Sequence, residues 1–437
     1  MSKSKKHKSV CIITLGCSKN IVDSEKLLKQ FDNNNVKILN EPQGADYLII
    51  NTCGFIEDAK QESIDTIFSA LEEKNKGNVG KVFVIGCLSK RYKKELKEEL
   101  PQVDAFFGTE DFQKIIESIN NKFDNKLLND RIITTPNHYA YLKISEGCNH
   151  KCSFCAIPLI KGKYVSRSIT DLLMETRNLA EKGVKELIVI AQDTTYYGTD
   201  LIKRKNISDL LNKLSKVEGI EWLRLLYTHP KNFPDDLIEL IKSNPKICKY
   251  IDIPIQHVSD KILASMKRGI NIKKTKGLLL RIREKIPNVA LRTTLIVGYP
   301  GETKKEFNEL CDFIQEIRFN KLGVFTYSPE EGTGAFKIKD TIPRRIKEER
   351  KKIVMEIQEK ISYNINSDFL GKVIKVLIDR KEEDYFVGRT EWDAPEVDGE
   401  VLIKNNKLKI GNFYDVRITD FDAYDLEGKI YNRGELK

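Results

Sequence analysis

The residues of this chain best suited to chemistry are its cysteines. Nine occur in 437 residues, and three of them stand in Cys148-Asn-His-Lys-Cys152-Ser-Phe-Cys155, a C-x3-C-x2-C spacing directly after an apolar run. Three thiolates on one short loop can ligate three irons of a [4Fe–4S] cluster and leave the fourth iron without a protein ligand, open to a chelating cofactor. Zinc is the alternative, but a structural zinc site normally takes four protein ligands, usually in two separated pairs. His150 could supply the fourth only by folding back within the same loop.

A second triad is dispersed. Cys17, Cys53 and Cys87 each follow an apolar run by one or two residues, in TLGC, INTC and VIGC. In an open parallel sheet the carboxyl ends of neighbouring strands converge on one crevice. Gly16, Gly54 and Gly86 flank the three thiols, and their missing side chains would let a bulky cluster approach the backbone. The pattern predicts a second three-cysteine cluster site; three buried structural thiols are the alternative, since free cysteine is common in cores. Cys11, Cys248 and Cys311 sit inside apolar or helical patterns and are assigned to packing.

The elements that must position these thiols follow from the hydropathy pattern. VCIITL (10–15), DYLIIN (46–51) and KVFVIG (81–86) read as buried parallel strands, with amphipathic helices between them. Together they form a small open α/β sheet. A second series runs through AYLKIS (140–145), ELIVIA (186–191), EWLRLLY (221–227), KYIDIPI (249–255), VALRTTLIVG (289–298) and KLGVFTY (321–327), again with helical stretches between members. Six βα units imply a partial parallel (β/α)6 barrel, short of eightfold closure. The charged helical stretch 342–369 reads as a connector. Beyond Gly371, short β-rich runs broken by Gly, Asp and Asn imply a small antiparallel β-barrel. The expected fold class is α/β, in three domains spanning 1–130, 131–367 and 368–437.

Composition narrows the setting. No apolar run is long enough to cross a bilayer and no secretory hydrophobic segment follows the basic start, so a cytoplasmic protein with no membrane partner is expected. In a reducing compartment nine cysteines point to metal binding or catalysis rather than disulfides. The net charge of +10 is uneven: residues 371–437 hold 12 Lys and Arg against 15 Asp and Glu, which leaves that segment at −3 and the remainder at +13. An RNA-binding barrel should be basic. The run Glu391, Asp393, Glu396, Asp398 and Glu400 instead suggests a surface for a basic protein partner, with a solvated acidic loop as the alternative. Lys3, Lys5, Lys6 and Lys8 read as a basic tail that could touch RNA, with a disordered tail as the alternative.

The C-x3-C-x-aromatic-C pattern at the end of a first barrel strand resembles the signature of the radical S-adenosylmethionine (SAM) superfamily. With the N-terminal triad and the terminal barrel, nearly the whole chain resembles the methylthiotransferase family: a domain with an auxiliary cluster, a radical SAM partial barrel and a TRAM barrel. TLGCSKNIVDSE (14–25), AYLKISEGCNHKCSFCAIP (140–158), AQDTTYYG (191–198) and YTHPKNFPDDL (227–237) are similar to its RimO branch, which acts on ribosomal protein S-twelve. Ser18 stands where that branch more often has Pro; the tRNA-acting relatives usually carry Gln-x-Asn there.

The resemblance implies two [4Fe–4S] clusters, on Cys148, Cys152 and Cys155 and on Cys17, Cys53 and Cys87. It implies SAM as cofactor, with Phe154 by the adenine and Gln192, Asp193, Arg224, Gln256 and Thr294 as further cofactor-binding positions, alongside the segment Gly298–Glu302. The implied reaction replaces a β-carbon hydrogen of an aspartate on S-twelve, free or in the small subunit, with a methylthio group. It consumes two SAM molecules and needs a flavodoxin- or ferredoxin-like reductant. The competing readings are a tRNA methylthiotransferase acting beside the anticodon and a non-enzymatic metal protein that docks on ribosomes.

Overall fold

A computed structural model describes residues 8–431 except 203, 205, 405 and 406; Lys3, Lys5 and Lys6 lie outside the described residues. The chain divides into two compact units. The first comprises residues 1–135, 141–149 and 155–179, and the second 136–140, 150–154 and 180–437.

In the first unit five parallel strands lie side by side in the order Lys37–Leu39, Ser9–Thr14, Ala45–Thr52, Val79–Gly86 and Ala105–Phe106. The central strands are apolar on both faces, which suits a sheet covered by helices on each side. Leu48, Ile50, Val82 and Val84 pack under Ile67 and Leu71 on one face; Ile49, Phe83 and Ile85 pack under Leu27 and Phe31 on the other. The two outer strands are short and were not evident in the sequence.

A buried ion network braces the same unit. Glu175, 0 % exposed, is met by Arg167 Nη1 at 2.7 Å, Arg131 Nε at 3.0 Å and Lys26 Nζ at 3.6 Å. Arg131 also donates to Glu25 and to the carbonyl of Tyr141. Burial pushes the Glu175 carboxyl upward, but Lys26, Arg167 and Arg131 together outweigh it and hold it at about 2.

The second unit contains five strands of an open six-stranded sheet in strict chain order, Glu186–Ile190, Trp222–Leu225, Ile247–Asp252, Ala290–Val297 and Lys321–Thr326, and the sheet's first strand, Tyr139–Lys143, begins in it. Its strands match the expected partial barrel closely. The stretch expected to be a connector is a helix, Arg344–Ser367, that packs on the last strand and buries Val354, Gln358 and Ile361. The buried Gln358 donates to the carbonyl of Phe319 at 2.9 Å.

The C-terminal barrel is closed, in the order Val373–Glu382, Tyr385–Arg389, Val401–Lys404, Leu426–Ile430 and Phe413–Phe421. It is antiparallel except where Val401–Lys404 pairs parallel with Leu426–Ile430.

The acidic stretch 391–400 does not offer a free anionic surface, contrary to the sequence reading. Glu391 accepts from the amide of Lys249 at 3.0 Å, Asp393 pairs with Lys321 at 2.6 Å, and Asp398 accepts from Tyr250 Oη at 2.6 Å. Glu400 takes a bidentate pair from Arg380 at 2.6 and 2.8 Å, and Glu396 accepts from Tyr139 Oη at 3.3 Å. Most of these carboxylates bind the C-terminal barrel to the parallel sheet.

Behind them lies a fully buried chain of charge. Glu186 pairs with Arg224 and with Arg389, each at 2.7 Å; Arg389 reaches Asp379 at 2.5 Å, and His138 reaches the same carboxylate at 2.7 Å. Among the described residues no helix is long and apolar enough to cross a membrane.

Replacing Glu186 with Gln leaves two buried guanidinium groups sharing no anion, and a loss of about 3–5 kcal/mol is expected. Urea unfolding followed on Trp222 and Trp392, the two tryptophans, measures it. Glu175→Gln is expected to destabilise at neutral pH by a similar amount. Because the folded carboxyl is depressed, that contribution is complete above the ordinary carboxyl value and is lost as pH falls through about 2. The gap between parent and variant should therefore close on acidification.

Candidate cluster sites

Strand register brings the dispersed cysteines to one edge. Thr14 lies opposite Asn51, and Asn51 opposite Ile85, so Cys17, Cys53 and Cys87 leave the sheet two or three residues beyond the same level. Side-chain amides then tie the turns together. Asn20 Nδ2 donates to Leu15 O at 2.8 Å and Thr52 O at 3.2 Å, while Asn51 Nδ2 donates to Asn20 O at 3.0 Å. Ser63 clasps Cys53, accepting from its amide at 3.1 Å and donating to its carbonyl at 3.0 Å.

Cys17 is the N-cap residue of the sixteen-residue helix Ser18–Asn33. The glycines are required by close approach. A Cβ on Gly16, whose φ is +86°, would lie 2.7 Å from Cys53 Cβ, and one on Gly54 would lie 2.7 Å from the Leu88 backbone.

These three residues fit an iron–sulfur cluster. Burial, with Cys17 and Cys53 adding to it, pushes the Cys87 thiol up to about 12, and a Cβ on Gly16 would lie 3.0 Å from Cys53 Sγ, so the glycine keeps space open beside that sulfur. The three Sγ atoms do not all lie within 4.8 Å of one another, unlike a compact single-ion site. Burial likewise raises the thiols of Cys11, Cys248 and Cys311, to about 11, 12 and 11.

Each part of the C-x3-C-x2-C loop is held within its own unit. In the first, Cys148 N donates to Gly162 O at 3.2 Å, and Gly147, with φ +74°, has no room for a Cβ, which would meet Lys163 O at 2.1 Å. In the second, Ser153 N donates to Met266 O at 2.9 Å and Ala335 N to Ser153 O at 2.7 Å. Ser153 Oγ bonds Ser265 O at 2.7 Å and Tyr299 Oη at 2.9 Å, and Arg268 Nη1 sits 3.4 Å from Cys152 Sγ. Sequence reasoning missed Arg268 because 116 residues separate it from Cys152 and nothing in its surroundings marks it.

The expected cofactor-binding positions divide. Phe154 packs with Ile262, Met266, Tyr299, Tyr327 and Ala335. Gln256, at φ +72°, donates from its amide to Thr294 O at 2.9 Å, which brings those two residues together. Asp193 is buried, accepting from Thr195 Oγ1 and pairing with His150 Nε2, each at 2.6 Å; His150 stacks on His229 at 4.0 Å. His150 thus faces Asp193 rather than serving as a fourth zinc ligand to the thiols. Gln192 is half-buried beside Asp193.

Arg224 is not placed for a cofactor. Its guanidinium is consumed by Glu186 and by the carbonyls of Glu391 at 2.8 Å and Thr390 at 3.2 Å. Glu302 of the Gly298–Glu302 segment is likewise internal, accepting from Gly298 N at 2.7 Å and pairing with Arg350 at 2.7 Å.

A parallel sheet with three thiols on a loop after its first strand defines a radical SAM protein, and the model of the Radical SAM superfamily matches residues 142–314. Uncharacterized protein family UPF0004 matches 9–108 and the TRAM domain matches 370–430. The proteins named ribosomal protein uS12 methylthiotransferase RimO from Cytophaga hutchinsonii and Christiangramia forsetii are 50 % and 49 % identical. The alignments cover 98 % of this chain and 99 % of the first relative, and 99 % and 96 % for the second. The chain belongs to this RimO family.

Among solved structures, the radical SAM methyltransferase TsrM from Kitasatospora setae, with cobalamin and a [4Fe–4S] cluster bound, is similar in fold. Its TM-score is 0.53 at 12 % identity, covering 73 % of this chain and 75 % of that one. The radical SAM enzyme OxsB gives 0.52 at 11 %, covering 80 % and 56 %.

Gly16→Ala is expected to lower iron in the reconstituted protein by about four atoms per chain, the content of one [4Fe–4S] cluster, with the loop cluster retained. Iron and sulfide analysis beside thermal unfolding measures it.

Proposed function

We propose that this chain transfers a methylthio group to the β-carbon of an aspartate on ribosomal protein uS12. Two SAM molecules would be used, with one [4Fe–4S] cluster on Cys148, Cys152 and Cys155 and an auxiliary one on Cys17, Cys53 and Cys87. The observation that carries the reading is that Cys87 shares one buried cluster with Ala156 and Ile160. Ala156 is bonded to Cys155, so one end of the SAM-type loop rests against the auxiliary triad, as a reaction joining the two centres requires.

When bound, the clusters and SAM supply reductive cleavage of the cofactor and the sulfur to be transferred. The chain's own residues position and shield. Ser153, Tyr299 and the backbone of Met266 pin the middle of the loop, and Arg268 offsets thiolate charge at Cys152. Phe154 presents an apolar wall that keeps water from that side of the loop. Gln192, Asp193, Gln256 and Thr294 are proposed to orient SAM, with His150 fixing the Asp193 carboxylate. The proposed domains are 1–130, 131–367 and 368–437, in a cytoplasmic enzyme fed by a flavodoxin- or ferredoxin-like reductant.

The test is anaerobic incubation with SAM, reductant and either uS12 or tRNA, followed by mass spectrometry of both. A methylthio increment on an aspartate of uS12 is expected; an increment on tRNA instead would overturn the substrate, and intact SAM would overturn the chemistry. Cys152→Ala should abolish 5′-deoxyadenosine formation. Cys53→Ala should keep part of it while stopping sulfur transfer.

A further inference from the structure

Lys161 is a buried cation whose donors are unfilled. Its side chain is 3 % exposed, and it lies 3.3 Å from Glu146 Oε1 and 3.8 Å from Asp23 Oδ2, yet Nζ makes no hydrogen bond. Lys143 takes those carboxylates first, donating to Asp23 and, at 2.7 Å, to Glu146. A protonated amine withdrawn from water is costly unless an acceptor meets it. Asp23 and Glu146 nonetheless keep Lys161 charged against its burial, with Cys87 adding to them.

The ammonium sits at the end of an element that packs against the auxiliary triad. Lys161 ends the helix Ile157–Lys161, whose Ile160 packs in the cluster with Cys87 and Ala156. Three thiolates and their bridging sulfides make an anionic group, which is the acceptor this cation lacks.

We propose that Lys161 is the counter-cation of the auxiliary cluster, offering its unfilled donors to the anionic sulfur at the Cys87 edge, with Glu146 and Asp23 holding it in place. This rests on the two-cluster reading above. Lys161 acts as a positioning and electrostatic residue: its charge favours the reduced, more negative cluster and so raises its reduction potential, while Glu146 opposes it.

The experiment uses the full-length chain with Cys148→Ala, Cys152→Ala and Cys155→Ala, so that only the auxiliary cluster is reconstituted, and follows its reduction by paramagnetic resonance against solution potential. Adding Lys161→Gln should shift the midpoint to more negative potential, Lys161→Arg should leave it near the parent, and Glu146→Gln should shift it the opposite way. Lys161→Gln with the cluster retained and the midpoint unmoved overturns the proposal. Should Lys161→Gln not fold, Glu146→Gln decides: a positive shift supports the proposal, and no shift or a negative one overturns it. A parent that takes up no iron instead overturns the auxiliary cluster itself, and this inference with it.

Discussion

Parallel register in the N-terminal sheet is the constraint on which the auxiliary site depends. Cys17, Cys53 and Cys87 are separated by more than thirty residues at each step, and only the alignment of Thr14, Asn51 and Ile85 across three strands makes them neighbours. A one-residue slip would turn every side chain to the other face of the sheet. The apolar residues on both faces resist this, because each strand is packed on two sides. The glycines at 16 and 54 then let the turns close to contact, and Asn20 and Asn51 lock them together.

Buried charge does the remaining joining. Glu175 gathers two arginines and a lysine in the first unit, and Glu186 links Arg224 of the parallel sheet to Arg389 of the C-terminal barrel in the second. Such pairs are weak sources of net stability, because desolvation offsets most of their attraction. Their effect is directional: a carboxylate buried between two guanidinium groups tolerates one arrangement of its neighbours. The C-terminal barrel is thereby held by specific polar geometry in addition to the contact of Trp222 with Phe413.

That use of charge explains where sequence reasoning failed. Arg224 sits on a strand of the parallel sheet, and the family resemblance made it a cofactor candidate; its partners come from residues 186, 390 and 391, which no local pattern connects to it. The run 391–400 looks like an acidic surface because composition reports charge without saying which carboxylates meet a cation, an amide or a hydroxyl. The helix Arg344–Ser367 looks like a connector because one narrow apolar stripe is diluted by charges along the rest of its surface.

Local chemistry and short-range periodicity lay open in the sequence by itself. The C-x3-C-x2-C loop, the buried strands and the position of each N-terminal cysteine just past a strand end are properties of neighbours along the chain, where covalent spacing sets geometry. Tertiary structure alone decided which distant groups meet: Arg268 on Cys152, Asp193 on His150, Ile160 beside Cys87, and the acidic run turned inward. Those encounters depend on packing directions summed over whole units, and a side chain's partner in a folded protein is fixed by where the elements come to rest rather than by what precedes or follows it.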